Sequence, residues 1–90
     1  MTDSNMKNAT NEFVVKDYGR TELAKIYFPL INNESAWRKL KDKIEGDEVL
    51  SAQLHRLGYD GHHRWFTIAQ VQAIVNRIGS PRPRFHHSVL

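Results

Sequence analysis

Cysteine is missing from this chain of 90 residues, so neither a disulfide nor a thiolate zinc site can staple it. Its five glycines stand singly, which leaves no Gly-rich loop to cradle a phosphate, and no nucleophile-elbow motif is present. No apolar stretch reaches membrane-spanning length and no N-terminal apolar h-region occurs, so the expected compartment is the cytoplasm and no membrane partner is expected. Charge of one sign is also scarce. The net charge of +3 is spread so that residues 1–12 carry −1, residues 13–79 carry +2, and Arg82 and Arg84 supply the last +2. A dedicated polyanion-binding domain is usually more basic than this; the balance permits nucleic-acid binding without arguing for it.

What is present is a set of helix punctuation marks. Phe66-Thr67-Ile68-Ala69-Gln70-Val71 contains a complete helix start. Thr67 can cap the amide of Gln70, the Gln70 side chain can reach back to the amide of Thr67, and Phe66 can pack on Val71 from just outside the helix. Val71, Ile74, Val75 and Ile78 then recur at helical spacing until Gly79 and Pro81 supply a stop. Upstream, Asp47 is an N-cap for a helix with Leu50, Leu54 and Leu57 as its apolar stripe, ended by Gly58. Asn32 caps a longer helix whose apolar face is Ala36, Trp37, Leu40 and Ile44, closed by Gly46. Its opposite side carries Ser35, Arg38, Lys39, Asp42 and Glu45. Thr21 is the expected N-cap of a first, short helix lined by Leu23, Ile26, Tyr27 and Leu30, with Pro29 ending it. Phe13-Val14-Val15 reads as a small strand or an extended segment on the core. Between Gly58 and Thr67, Asp60-Gly61 is the pair that a type I′ turn prefers, flanked by aromatics, and predicts a β-hairpin before the last helix.

These signs describe a mainly α domain over residues 13–79, of about four helices with that short β-hairpin, preceded by a flexible arm (1–12) and followed by a flexible Pro/Arg tail (80–90). A core of roughly 65 to 70 residues is small, so each apolar side chain counts and no large internal active site fits.

Candidate chemistry is sparse. His62-His63 and His86-His87 are adjacent pairs and His55 is alone, so no pair of histidines stands at the i, i+4 spacing of a zinc-binding helix. Asp47-Glu48 is a carboxylate pair, but acids at a helix start answer the helix dipole and its free amides. No catalytic constellation, metal or cofactor is therefore expected, and the reading is non-enzymatic. Trp37, Trp65, Tyr18, Tyr27 and Tyr59 could stack on bases, although in a domain this small large aromatics are first of all core.

Thr21-Glu22-Leu23-Ala24, a turn, and Ser35-Ala36-Trp37-Arg38-Lys39-Leu40 resemble a helix-turn-helix layout, with the later hairpin in the place of a wing. The turn differs: Phe28-Pro29-Leu30-Ile31-Asn32 intervenes, about two residues longer than that motif has. The plainer alternative is a helix hairpin with a solvated charged face. Along the whole segment, Tyr18-Gly19, Glu22-Leu23-Ala24, Tyr27, Pro29, Ser35-Ala36, Arg38-Lys39-Leu40, Leu57-Gly58-Tyr59, Phe66-Thr67, Gln70-Val71 and Ile78-Gly79-Ser80-Pro81 resemble a family of short bacterial proteins classed as a domain of unknown function. The resemblance covers about residues 13–81, with Trp37 and Asn32-Asn33 as departures from the pattern. It implies an architecture and a bacterial cytoplasmic origin, and carries over no catalytic residues. The expectation is a small winged-helix-like, helix-turn-helix-like module binding double-stranded DNA through Ser35, Arg38, Lys39, Asp42 and Arg64, with Arg82 and Arg84 as a basic arm. The alternative is a protein-interaction adaptor or a homodimerisation module without nucleic-acid binding.

Overall fold

A computed structural model describes residues 13–81. The expected arms, with Arg82, Arg84 and the His86-His87 pair, lie outside the described residues apart from Ser80 and Pro81. In chain order the elements are strand β1 (Tyr18–Gly19), helix α1 (Arg20–Tyr27), helix α2 (Asn33–Glu45), helix α3 (Glu48–Arg56), strand β2 (Trp65–Phe66) and helix α4 (Ile68–Ile78). The domain is mainly α, as its sequence implies.

Three of the four expected N-caps form where the sequence puts them. Asn32 Oδ1 accepts from the Ser35 amide at 2.8 Å, and Asp47 Oδ1 from the Leu50 amide at 3.1 Å. At α4 the box is reciprocal: the Gln70 amide donates to Thr67 Oγ1 at 3.3 Å and the Thr67 amide to Gln70 Oε1 at 3.0 Å. Each bond satisfies one of the amides that a helix start otherwise leaves open. α3 ends in a Schellman arrangement, with the Tyr59 amide on the Leu54 carbonyl at 2.9 Å and the Gly58 amide on that of His55 at 3.0 Å. Gly58 sits at φ +93°, where a side chain would be strained.

Three readings of the sequence are corrected here. α1 starts at Arg20, with Gly19 and not Thr21 as its N-cap. The Arg20 amide is already taken by the Arg64 carbonyl (2.8 Å) and Glu22 Oε1 reaches back to the Gly19 amide (3.2 Å), so the strand passes directly into the helix. Leu30 does not line α1: Phe28 leaves the helical conformation at φ −131° and ψ 71°, Pro29 turns the chain, and Leu30 is 83% exposed. Leu57 lies past the end of α3 and is exposed, leaving Leu50 and Leu54 as the buried stripe.

The strand before α4 forms, and its antiparallel partner is β1, with Tyr18 opposite Phe66 and Gly19 opposite Trp65. Asp60-Gly61 does not make a type I′ turn. That turn needs positive φ at both central residues, and among the described residues only glycines have it, Gly61 at +90°. Asp60 instead accepts the His62 amide at 2.9 Å, and Tyr59, held by the end of α3, turns inward to stack on Phe66 with ring centroids 5.0 Å apart. Phe13-Val14-Val15 forms no strand. Phe13 stacks on Tyr18 at 5.3 Å and the Tyr18 hydroxyl donates to the Val14 carbonyl at 2.7 Å.

The core is Leu23 and Ala24 of α1, Ala36, Leu40 and Ile44 of α2, Leu50 and Leu54 of α3, Val71, Ala73 and Ile74 of α4, and Tyr18 and Phe66 from the sheet. Side-chain hydrogen bonds then lash the elements together. Ser51 Oγ donates to the Ile44 carbonyl (2.7 Å), the Tyr27 hydroxyl to the Gly79 carbonyl (2.6 Å), and the Ile68 amide to Asp17 Oδ1 (2.8 Å). Burial of the Tyr27 ring, which makes its phenolate unfavourable, pushes that hydroxyl up to about 12.

Gln70 is the one buried polar side chain among the described residues, and it works at both ends. While its carbonyl oxygen caps Thr67, its amide donates to the Leu57 carbonyl at 2.9 Å, tying α4 to the end of α3. Gln70→Ala is expected to lower stability by about 2 kcal/mol, because the reciprocal half of the cap and the tie to Leu57 are lost together. Gln70→Glu keeps the acceptor and loses the donor, so urea melts should place it between the parent and the alanine variant.

Candidate nucleic-acid interface

α2 presents its apolar stripe to the rest of the domain and turns the other side to solvent. Leu40 and Ala36 are fully buried, whereas Arg38, Lys39 and Asp42 are exposed. Ser35 is half-buried near the helix start. Ser35, Arg38 and Asp42 follow one another at helical spacing and share the outward stripe. Arg38 lies 3.9 Å from Glu34 in an exposed i, i+4 pair, which holds its position weakly. Lys39 leaves the stripe towards α1, with its ammonium 5.7 Å from the centre of the Phe28 ring.

The fifth described candidate, Arg64, is exposed and lies elsewhere. Its carbonyl holds the first amide of α1, which brings it beside Arg20. The Arg20 guanidinium lies 4.9 Å above the ring of Trp37, on the flank of α2 opposite Lys39. The structure therefore groups Ser35, Arg38 and Asp42, keeps Lys39 at their edge, and places Arg64 on another flank with an arginine that the sequence reading passed over. No local signal in the sequence points to Arg20, because it meets Arg64 only through the long-range pairing of β1 with β2.

Trp37 is half-buried and tilts against Phe66 at 6.1 Å, while Trp65 on the outward side of β2 remains 62% exposed. Tyr59 is partly buried against Phe66, and that burial raises its hydroxyl above the ordinary tyrosine value. So one of the two tryptophans packs and the other is displayed.

Asp47 and Arg77, beneath the far end of α2, are structural. Asp47 Oδ2 accepts from Arg77 Nε at 2.7 Å while its other oxygen caps α3. The Arg77 hydrogen bond, followed by the Leu50 amide, holds the Asp47 carboxyl below its ordinary value. The amide of His62 does the same for Asp60. An unfolded aspartate titrates near ~3.9. Below that pH and above the depressed folded values, the unfolded chain takes up protons that the fold refuses. The stabilisation is therefore complete above about pH 4 and drains away as pH falls through the folded values. Thermal melts in acid should show this decline, and Arg77→Gln, which removes the largest cause at Asp47, should make it shallower. An equally steep decline in that variant would exclude the Asp47–Arg77 pair as its source.

Among the described residues, no three His, Asp or Glu side chains are grouped to hold a metal ion, and no helix is long and apolar enough to cross a membrane. Residues 14–81 match the family described as Domain of unknown function (DUF4248). No curated protein and no solved structure matches the chain.

Proposed function

The chain belongs to that family, whose description names no function; from its own surface we propose that it is a non-enzymatic DNA-binding module of the bacterial cytoplasm, with α2 as the helix presented to duplex DNA. The observation that supports this best is how α1 meets α2. Arg20, at the start of α1, lies over Trp37, and Phe28, just past its end, lies under Lys39. Trp37 and Lys39 leave α2 on opposite flanks and differ in height by only about 3 Å, against about 12 Å for the length of α1. These contacts support a steep, helix-turn-helix-like crossing of α1 over α2, and Arg38 on the outward stripe is exposed. The loop before β2 takes the place of a wing, with Arg64 as its cation.

Titrating labelled duplex DNA at rising salt tests the reading. Affinity should fall with a log–log slope of about −0.9 per phosphate neutralised, and so few cations imply only three or four contacts. Absence of binding at low salt would overturn it. A second reading, an interaction adaptor or homodimer, is favoured by exposed apolar side chains at Trp65, Ile68 and Val14. Mass measurement of the free protein addresses the homodimer directly.

A further inference from the structure

Arg20, Arg64 and Trp65 share a shallow recess with Gly19, Thr21 and Glu22, away from the outward stripe of α2. The strand register and one hydrogen bond build it: Gly19 pairs with Trp65, and the Arg20 amide donates to the Arg64 carbonyl at 2.8 Å. Two positive side chains therefore start from adjacent points beside the paired strands, Arg20 as the first residue of α1 and Arg64 just before β2. Neither forms an ion pair among the described residues. Arg20 is steadied over the Trp37 ring, and Glu22, the acid on this wall, turns one oxygen to the Gly19 amide. Trp65 is a different kind of group. Strand alternation sends Phe66 into the core and Trp65 outward, and the residue paired with Trp65 is Gly19, which has no side chain to cover the indole.

We propose that this recess is a site for an unpaired nucleotide, with the guanidinium groups of Arg20 and Arg64 on a backbone phosphate and the Trp65 indole stacked on the neighbouring base. An exposed apolar ring alone would fit many partners. Flanked by two arginines free of acidic partners, it fits a strand that alternates negative phosphates with flat bases. Duplex DNA cannot offer that base, because its bases are stacked inside. The site thus extends the nucleic-acid reading to single strands; it rests on that reading for the choice of polymer and shares Arg64 with it, whereas Arg20 and Trp65 serve the unpaired strand alone.

Fluorescence anisotropy with a short labelled oligothymidylate, the same length of abasic strand and a labelled duplex tests it on the full chain. Trp65→Ala should weaken oligothymidylate binding about tenfold, the scale of losing one aromatic stack, and leave duplex binding unchanged. Trp65→Leu, which keeps an apolar side chain without a π face, should show the same loss, and circular dichroism should show both variants folded. Arg20→Gln with Arg64→Gln should weaken both the oligothymidylate and the abasic strand, because both carry phosphates. The proposal is overturned if the parent does not bind oligothymidylate at low salt, if either Trp65 variant binds it as the parent does, or if the Trp65 variants lose the abasic strand equally. Loss of duplex binding in the parent, with Trp65-dependent oligothymidylate binding retained, would instead overturn the α2 reading and leave this site standing.

Discussion

Phe66→Ala is expected to destabilise the domain by about 3 kcal/mol, the scale of removing a fully buried aromatic from a core that can close the gap only in part. Phe66 has no exposed surface. It touches three separate parts of the chain: Tyr59 stacks on it from the end of α3, Trp37 tilts against it from α2, and Tyr18 faces it across the sheet. It also stands just outside α4, in the staple position opposite the fully buried Val71. Small domains of about 70 residues hold only some 4 to 10 kcal/mol in all, so the loss removes a large share of the total. Urea melts of the variant should show a clearly lower midpoint. Ile68→Ala, at an exposed position two residues on, should change it little. A Phe66→Ala midpoint equal to the parent's would mean that neither the staple nor the aromatic cluster carries the fold.

Asn32, Asp47 and the Thr67–Gln70 box were legible because each is a contract between residues three apart, settled by the reach of a short polar side chain to a nearby amide. The glycine after α3 was legible for the same local reason. What the sequence did not disclose are pairings between distant segments. Tyr18 and Phe66 are adjacent in space through a strand register that nothing in a two-residue strand specifies. Asp17 serves an amide of α4, fifty-one positions on, and Arg77 reaches back thirty positions to an Asp47 that already has a role as a cap. Asp60-Gly61 had a strong local preference, but the Schellman end of α3 directs Tyr59 inward before a hairpin can start. The outward side of α2 was readable from periodicity alone. The Arg20–Arg64–Trp65 recess was not, because it exists only once β1 has paired with β2.

Charge reversal on α2, Arg38→Glu with Lys39→Glu, is expected to abolish duplex binding while the protein remains folded. The stability cost should be near 1 kcal/mol. Arg38 gives up an exposed pair with Glu34, worth little in water, and Lys39 gives up an exposed position over the Phe28 ring. A glutamate at position 38 would add like-charge neighbours at Glu34 and Asp42, at a few tenths of a kcal/mol each. Binding has no such margin. The sequence carries a net charge of only +3, so four units of change make the whole chain negative and place repulsion on the stripe closest to the phosphates. With three or four phosphate contacts, parent affinity should already fall on the order of a hundredfold between 50 and 200 mM salt, so the comparison belongs at low salt. The neutral variant Arg38→Gln with Lys39→Gln should bind weakly and with a shallower salt slope, which separates loss of attraction from added repulsion. If the charge-reversed protein is folded and binds duplex as the parent does, α2 does not face DNA.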